Sequence, residues 1–198
     1  MMKHLLLLFV ALSVSVISLN AQSEPRGLNV NDPAPDFAAN DQNGNRVSLK
    51  EKLKQGPVVL VFYRGQWCPY CNRYLKKLED SISLVTSKGA SLITVTPETA
   101  VGIAKTIEKS NASYPILYDD SLSIMKKYQV AFKVDENTIE KYKQYGIDFT
   151  QANGSANGAN LPVPAVYIIG TNGKIVFRHF DKNYTKRVSV AEILENLK

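Results

Sequence analysis

The chain carries two cysteines in 198 residues, and they stand three apart in Trp67-Cys68-Pro69-Tyr70-Cys71. Two cysteines cannot build a framework of several disulfides or a four-cysteine zinc site, so whatever they do is done at one place. Ahead of them, Pro57 to Tyr63 is a continuous β-branched and aromatic run, the pattern of a strand buried on both faces. After them, Leu75, Leu78, Ile82 and Val85 recur at helical spacing, with Lys76, Lys77, Glu79 and Asp80 on the other face. This predicts one amphipathic helix from Pro69 to about Lys88, stopped by Gly89. Cys68 therefore stands where a buried strand gives way to a helix. Helix-start N–H groups and the helix dipole favour an anion there, and the thiolate is the reactive form of cysteine. Pro69 suits the first turn because it has no N–H to leave unpaired. Cys71 follows one turn later, which brings its sulfur beside that of Cys68. Arg64 supplies a permanent cation close in sequence, and Trp67 and Tyr70 form an apolar collar for docking a partner chain.

Other uses of the pair are weaker. Half a zinc site would need further ligands, and His179 is the only histidine outside the first four residues. A structural clip would close a very small loop and constrain the unfolded chain little. His179, in Phe177-Arg178-His179-Phe180, reads as a structural strand residue. No metal and no organic cofactor is called for. Composition agrees with a globular chain: 44% apolar and 21% charged. The net charge of +6 is dispersed without a basic run, which gives no reason to expect nucleic-acid binding.

Residues 1–21 read as an export signal. Lys3 and His4 precede an apolar stretch from Leu5 to Leu19, with small Ala21 before polar Gln22, Ser23 and Glu24. The stretch is short for a membrane span, so no stable span is expected. The product is placed in the periplasm or outside the cell, with cleavage near Ala21. Residues 22–30 read as a loose leader, and 31–198 as one domain. Within it, Asn43-Gly44 predicts a tight hairpin, and Ser48 with Glu51 a capped short helix. Ala90 to Thr96 and Pro115 to Tyr118 read as strands. Helices are predicted from Pro97 to about Asn111, from Leu122 to Tyr128 and from about Asn137 to Tyr145. Residues 151–160, all Gln, Ala, Asn, Gly or Ser, read as a flexible loop, more slack than lid. A hairpin over Ala165–Ile169 and Lys174–Phe180 and a closing helix from Val190 complete a three-layer α/β/α sandwich. Pro164 reads as the start of a strand or, more sharply, as the second residue of a cis peptide with Val163, facing the cysteines.

The arrangement resembles the thioredoxin fold. Asn31 to Phe37 (N-D-P-A-P-D-F), followed by a hairpin, is similar to the start of the AhpC/TSA family. F-Y-R-G-Q-W-C-P-Y-C, L-P-V-P-A-V-Y-I-I and F-D-K-N-Y-T-K-R resemble its peroxiredoxin-like branch. The resemblance implies an α/β thioredoxin-like fold with an N-terminal hairpin extension. It also implies Cys68 as the nucleophilic cysteine, Cys71 as the resolving cysteine, and Pro164 as the cis-proline of thioredoxin-like members. Three supports of the usual peroxide pocket are absent. The hydroxyl residue three before the nucleophile is Gly65, the proline further back is Val61, and the late-strand arginine falls on Pro164. The buried acid of thioredoxins falls on Phe62.

These readings point to an exported thiol–disulfide oxidoreductase cycling Cys68 and Cys71 between dithiol and disulfide. Its partners would be a protein or small-molecule disulfide and an unidentified reductant protein. The first alternative is a thiol peroxidase that reduces hydroperoxides through a Cys68 sulfenic acid. The second is a non-enzymatic binding module in which the cysteines form only a clip.

Overall fold

The computed structural model describes residues 24–197; the export signal read in residues 1–21 lies outside them. The chain opens with a hairpin of β1 (Ala38–Asn40) and β2 (Arg46–Ser48). Its turn is closed by the Gly44 N–H donating to the Asp41 carbonyl. Helix α1 (Leu49–Leu53) follows, with the Ser48 hydroxyl accepting from the Glu51 N–H as the capping pattern predicts. Then come β3 (Val58–Phe62), α2 (Pro69–Glu79), α3 (Ile82–Ser87), β4 (Ser91–Thr96), α4 (Ala100–Ser110), β5 (Ile116–Tyr118) and, after a 3₁₀ turn, α5 (Ser123–Lys127). An excursion of β6 (Ala131–Lys133), α6 (Glu136–Gln144), α7 (Phe149–Asn153) and β7 (Asn160–Pro162) precedes β8 (Ala165–Ile169), β9 (Ile175–Phe180) and α8 (Val190–Asn196).

The central sheet has the order β5-β4-β3-β8-β9, with β3, β4 and β5 parallel and β8 antiparallel to both β3 and β9. β3 is wholly buried, and its side chains alternate between two cores. Val58, Leu60 and Phe62 join Leu49, Ile124, Met125 and Tyr128 on one face. Val59, Val61 and Tyr63 join Leu75 and Leu78 of α2, Ile103 of α4 and Ile193 of α8 on the other. Two helical layers around one sheet give the predicted sandwich. The second core packs α2 against the sheet, which fixes its N-terminal end at the end of β3.

Four expectations need correction. The predicted helix from Pro69 to Lys88 is two helices, broken at Asp80 and Ser81. There the Asp80 N–H donates to Lys76, but the Ser81 N–H turns to Leu78. Asp and Ser are weaker helix formers than the Leu, Lys and Glu before them, while the apolar spacing runs on across the break. The described part of the loose leader is tied down. Gly27 and Leu28 are buried, and the Gly27 N–H donates to Gln129 and the Leu28 N–H to the Tyr167 hydroxyl. The segment 151–160 is not slack. Its first three residues end α7, and Asn153 and Asn157 are fully buried. The Asn157 amide donates to the carbonyls of Pro97 and Asp119, and that of Asn153 to Gly158 and Asn160. Finally, the peptide before Pro164 is trans. Pro164 joins β7 to β8 in a chain that runs on without a tight turn, and the Val163 N–H donates to the Val130 carbonyl.

Candidate active site

Cys68 is the N-cap of α2 and Pro69 its first residue. The Cys68 carbonyl accepts the first helical bond, from Asn72, and its own N–H donates to Gly65. The strand end and the helix start thus set the backbone of Cys68 from both sides. Both cysteines are reduced and buried. A cleft of about 850 Å³ opens over the site; Cys68 lines it and Cys71 does not. One sulfur faces the space a substrate would occupy, and the other lies behind it.

The two thiols are pushed in opposite directions. Cys68 is brought down to about 6, first by hydrogen bonding to the Cys71 side chain. Burial opposes this, and the Cys71 N–H and the charges of Arg64 and Arg187 reinforce it. Cys71 is driven well above the usual thiol range by its burial and then by Cys68. At neutral pH the site therefore holds an ionised sulfur facing the cleft and a protonated one beneath it.

Arg64 is buried, and its Nη2 donates to the Tyr142 hydroxyl at 2.9 Å. Its guanidinium lies 4.8 Å from the Trp67 ring centre and 4.2 Å from that of Tyr184. Nε and Nη1 have no partner. Trp67 stacks edge-on against Tyr142 and Phe149, which belong to the β6–β7 excursion, so this excursion is the outer wall of the site. Tyr70 is partly exposed and meets Tyr184 edge-on. Pro164 lines the cleft. The residues singled out from the sequence, Arg64, Trp67, Cys68, Pro69, Tyr70, Cys71 and Pro164, thus gather at one place. His179 stands apart on β9, opposite Val166 and among Asp181, Glu192 and Arg187, with its pKa held down by burial.

A family model for the AhpC/TSA family matches residues 30–178. The chain belongs to that family. It is 26% identical over 139 residues to the thiol-disulfide oxidoreductase ResA of Geobacillus thermodenitrificans, covering 67% of this chain and 78% of that protein. It is 30% identical over 97 residues to the chloroplastic peroxiredoxin Q of Oryza sativa subsp. japonica, covering 49% of this chain and 44% of that one. Among solved structures it superposes on peroxidoxin BcpB from Mycobacterium tuberculosis with a TM-score of 0.66 at 20% identity, over 86% of this chain and 96% of that one. The fold is therefore the thioredoxin-like fold of the peroxiredoxins in this AhpC/TSA chain.

The structure gives a physical reason for one departure from the AhpC/TSA pattern. A Cβ on Gly65 would lie 2.5 Å from Trp67 Nε1 and 2.7 Å from Glu98 Oε1, so no hydroxyl-bearing side chain fits there. Four residues at the site were not foreseen. Arg187 Nη2 donates to Cys71 Sγ at 3.5 Å. Tyr142 and Tyr184 enclose Arg64. Glu98 is fully buried behind the cysteine loop. Glu98 had a local signal, a carboxylate straight after a buried strand, but that signal reads equally as the first turn of a helix. Tyr142, Tyr184 and Arg187 lie more than 70 residues from the cysteines in sequence, where spacing carries no information. Among the described residues no helix is long and apolar enough to cross a membrane.

Proposed function

We propose that this chain is an exported thiol–disulfide oxidoreductase that works through Cys68 and Cys71. The observation that carries the reading is the division of labour between the sulfurs: an ionised Cys68 lining a cleft, and a protonated Cys71 behind it. Cys68 attacks a substrate disulfide and releases one thiolate. Cys71 then attacks the Cys68 sulfur of the mixed disulfide, releasing the second thiol and leaving a Cys68–Cys71 disulfide. The substrate gains two electrons and the pair loses them, and an external dithiol resets the pair. The cleft wall of Phe132, Ile147, Leu161 and Val163, with Lys133, Lys141 and Lys182 near it, fits an extended peptide or a small disulfide with an apolar body. The export signal read in residues 1–21 supports a compartment where dithiols and disulfides must be actively managed. The test is turnover of insulin or glutathione disulfide. Activity no higher than that of Cys68→Ser rejects the reading.

A specific observation also favours the peroxidase. Arg64 lines the cleft together with Cys68, and its charge helps to hold Cys68 ionised; a fixed cation at the nucleophile suits the negative charge that develops on the leaving oxygen of a hydroperoxide. Cys71→Ser treated with hydrogen peroxide separates the two readings. A trappable sulfenic acid formed much faster than on free cysteine supports the peroxidase, and oxidation at the rate of free cysteine removes it.

A further inference from the structure

Cys71 attacks as a thiolate, yet it is fully buried and does not line the cleft. An anion buried there needs a partner inside the protein, because desolvation favours the neutral thiol. The partner comes from far away in sequence. Arg187, in the segment between β9 and α8, places Nη2 3.5 Å from Cys71 Sγ. The guanidinium is held from two other directions. Its Nη1 donates to the Tyr184 carbonyl and, at 2.7 Å, to the Lys186 carbonyl, so its own loop fixes one end of the fork. Its central carbon lies 5.8 Å from the ring centre of Tyr74, three residues after Cys71 on α2. Among the described residues no carboxylate forms an ion pair with it; Asp181, in the same loop, pairs with Lys186 at 3.9 Å. An arginine stays charged at every working pH. A neutral thiol is a weak acceptor, whereas an ionised one makes a strong, charge-assisted bond. The contact is therefore worth little in the resting dithiol and much at the moment Cys71 ionises. Tying down the loop is already done by the bonds of Nη1.

We propose that Arg187 is a catalytic residue of the resolving step, its guanidinium stabilising the Cys71 thiolate as that sulfur attacks. This rests on the thiol–disulfide oxidoreductase reading above. In the step, the Cys71 thiol gives its proton to water. Its sulfur bonds to the Cys68 sulfur of a mixed disulfide, and the bond between Cys68 and the substrate sulfur breaks. The substrate sulfur leaves with the electron pair and takes up a proton. Cys71 carries charge only between the resting thiol and the product disulfide, so a cation fixed beside it favours the passage rather than either end. In the reverse direction Cys71 is the leaving group, and the same cation stabilises its departure. The loop that carries Arg187 also carries Tyr184, whose ring stands over Arg64 and edge-on to Tyr70 at the cleft. One segment thus reaches both the open sulfur and the buried one. The other charged and titratable groups around Cys71 and Arg187 are Cys68 and Tyr74 from α2, Tyr63 from β3 and Arg64 after it. Glu98 ahead of α4, His179 from β9 and Glu192 from α8 complete the surroundings. Of these side chains and Arg187, only Arg187 sets a cationic group on the Cys71 sulfur.

The test uses an aromatic disulfide, 5,5′-dithiobis(2-nitrobenzoate), with the reduced full chain under single turnover. Attack by Cys68 releases the first coloured thiolate and attack by Cys71 the second. Arg187→Met keeps the apolar stem and removes the charge. It is expected to leave the first release within about threefold and to slow the second about thirtyfold at pH 7. Arg187→Lys, a cation without the fork, is expected to fall between, and it reads the same comparison if Arg187→Met fails to fold. A second readout separates charge from packing. With Cys68→Ser in place Cys71 is the only thiol, and the Cβ chemical shift of isotope-labelled cysteine follows its ionisation. Adding Arg187→Met is expected to move that midpoint up by about one to two pH units. The inference alone is overturned if the second release keeps its rate in both variants. A second release that slows while the Cys71 midpoint stays in place overturns it too, since a packing defect does that. Absence of the first release from the wild-type chain overturns the oxidoreductase reading and this inference with it.

Discussion

Residues 63–71, which carry the cysteines, and residues 149–160, which back Trp67 through Phe149, are built by opposite means. In the first, local signals and tertiary outcome agree. A β-branched strand ends, a proline opens a helix, and the cysteine between them falls at the N-cap. In the second, composition promises nothing, yet Phe149 is buried against Trp67, and two asparagines are buried with their amides on backbone carbonyls. An amide that satisfies carbonyls at the ends of other elements does the work of a core residue without looking like one. Glu98 is the seam between the two regions. Its carboxylate holds the Gln66 N–H of the first, and the carbonyl of neighbouring Pro97 is held by Asn157 of the second.

The largest expected effect lies in the legible region. Cys68→Ser should lower disulfide turnover by about three orders of magnitude or more, while thermal unfolding shifts little, because oxygen for sulfur changes the volume slightly. Turnover that survives this change would mean the local pattern misidentifies the nucleophile.

Next in size is the seam. Below about pH 4.5 the Glu98 carboxyl is protonated in both folded and unfolded chains. Between there and about 8 the unfolded chain ionises while the folded one holds its proton. Wild-type stability is thus lost as pH rises through that window, by at most about 1.4 kcal/mol per pH unit. Glu98→Gln removes the slope. In urea unfolding it should gain on the wild type steadily from pH 5 to pH 8. A difference independent of pH would show that the folded carboxyl ionises like an ordinary one.

In the illegible region, Asn157→Ala leaves the Pro97 carbonyl without its partner and takes one of two bonds from the Asp119 carbonyl, and should cost about 2 kcal/mol. Ser155→Ala, on an exposed residue of the same polar run, should stay within about 0.5 kcal/mol. Equal small losses would restore the flexible-loop reading of 151–160.

What could be read in advance follows the range of each signal. The strands of the central sheet, the capped α1, the hairpins and Cys68 at a helix start depend on neighbours within a few residues, and they stand where the sequence puts them, whereas β6 and β7 gave no such local signal. The helix break at Ser81 was hidden because Leu78, Ile82 and Val85 keep helical spacing on both sides of it. The packing of Leu28 was hidden because its partner, Tyr167, is 139 residues away. The same distance problem concealed Tyr142, Tyr184 and Arg187 at the site, although Arg64, their common neighbour, stood out.

The smallest effect tests how the two regions share one charge. Arg64 comes from the legible loop, but Tyr142, from α6 in the excursion that ends in the polar run, holds its guanidinium in place. The Cys68 thiolate is stabilised first by Cys71 and only later by Arg64 and Arg187. Arg64→Met should therefore raise the midpoint of Cys68 alkylation from near pH 6 by about one unit or less, leaving the sulfur about half ionised at neutral pH. Tyr142→Phe keeps the charge and removes only its tether, so its shift should be smaller. The order of the two shifts tells which region sets the charge. If Tyr142→Phe moves the midpoint as far as Arg64→Met, the wall sets the charge's position as strictly as the loop supplies it. If neither moves it, the helix end and Cys71 ionise Cys68 unaided, and the role of Arg64 is to pack the aromatic wall of Trp67, Tyr142 and Tyr184.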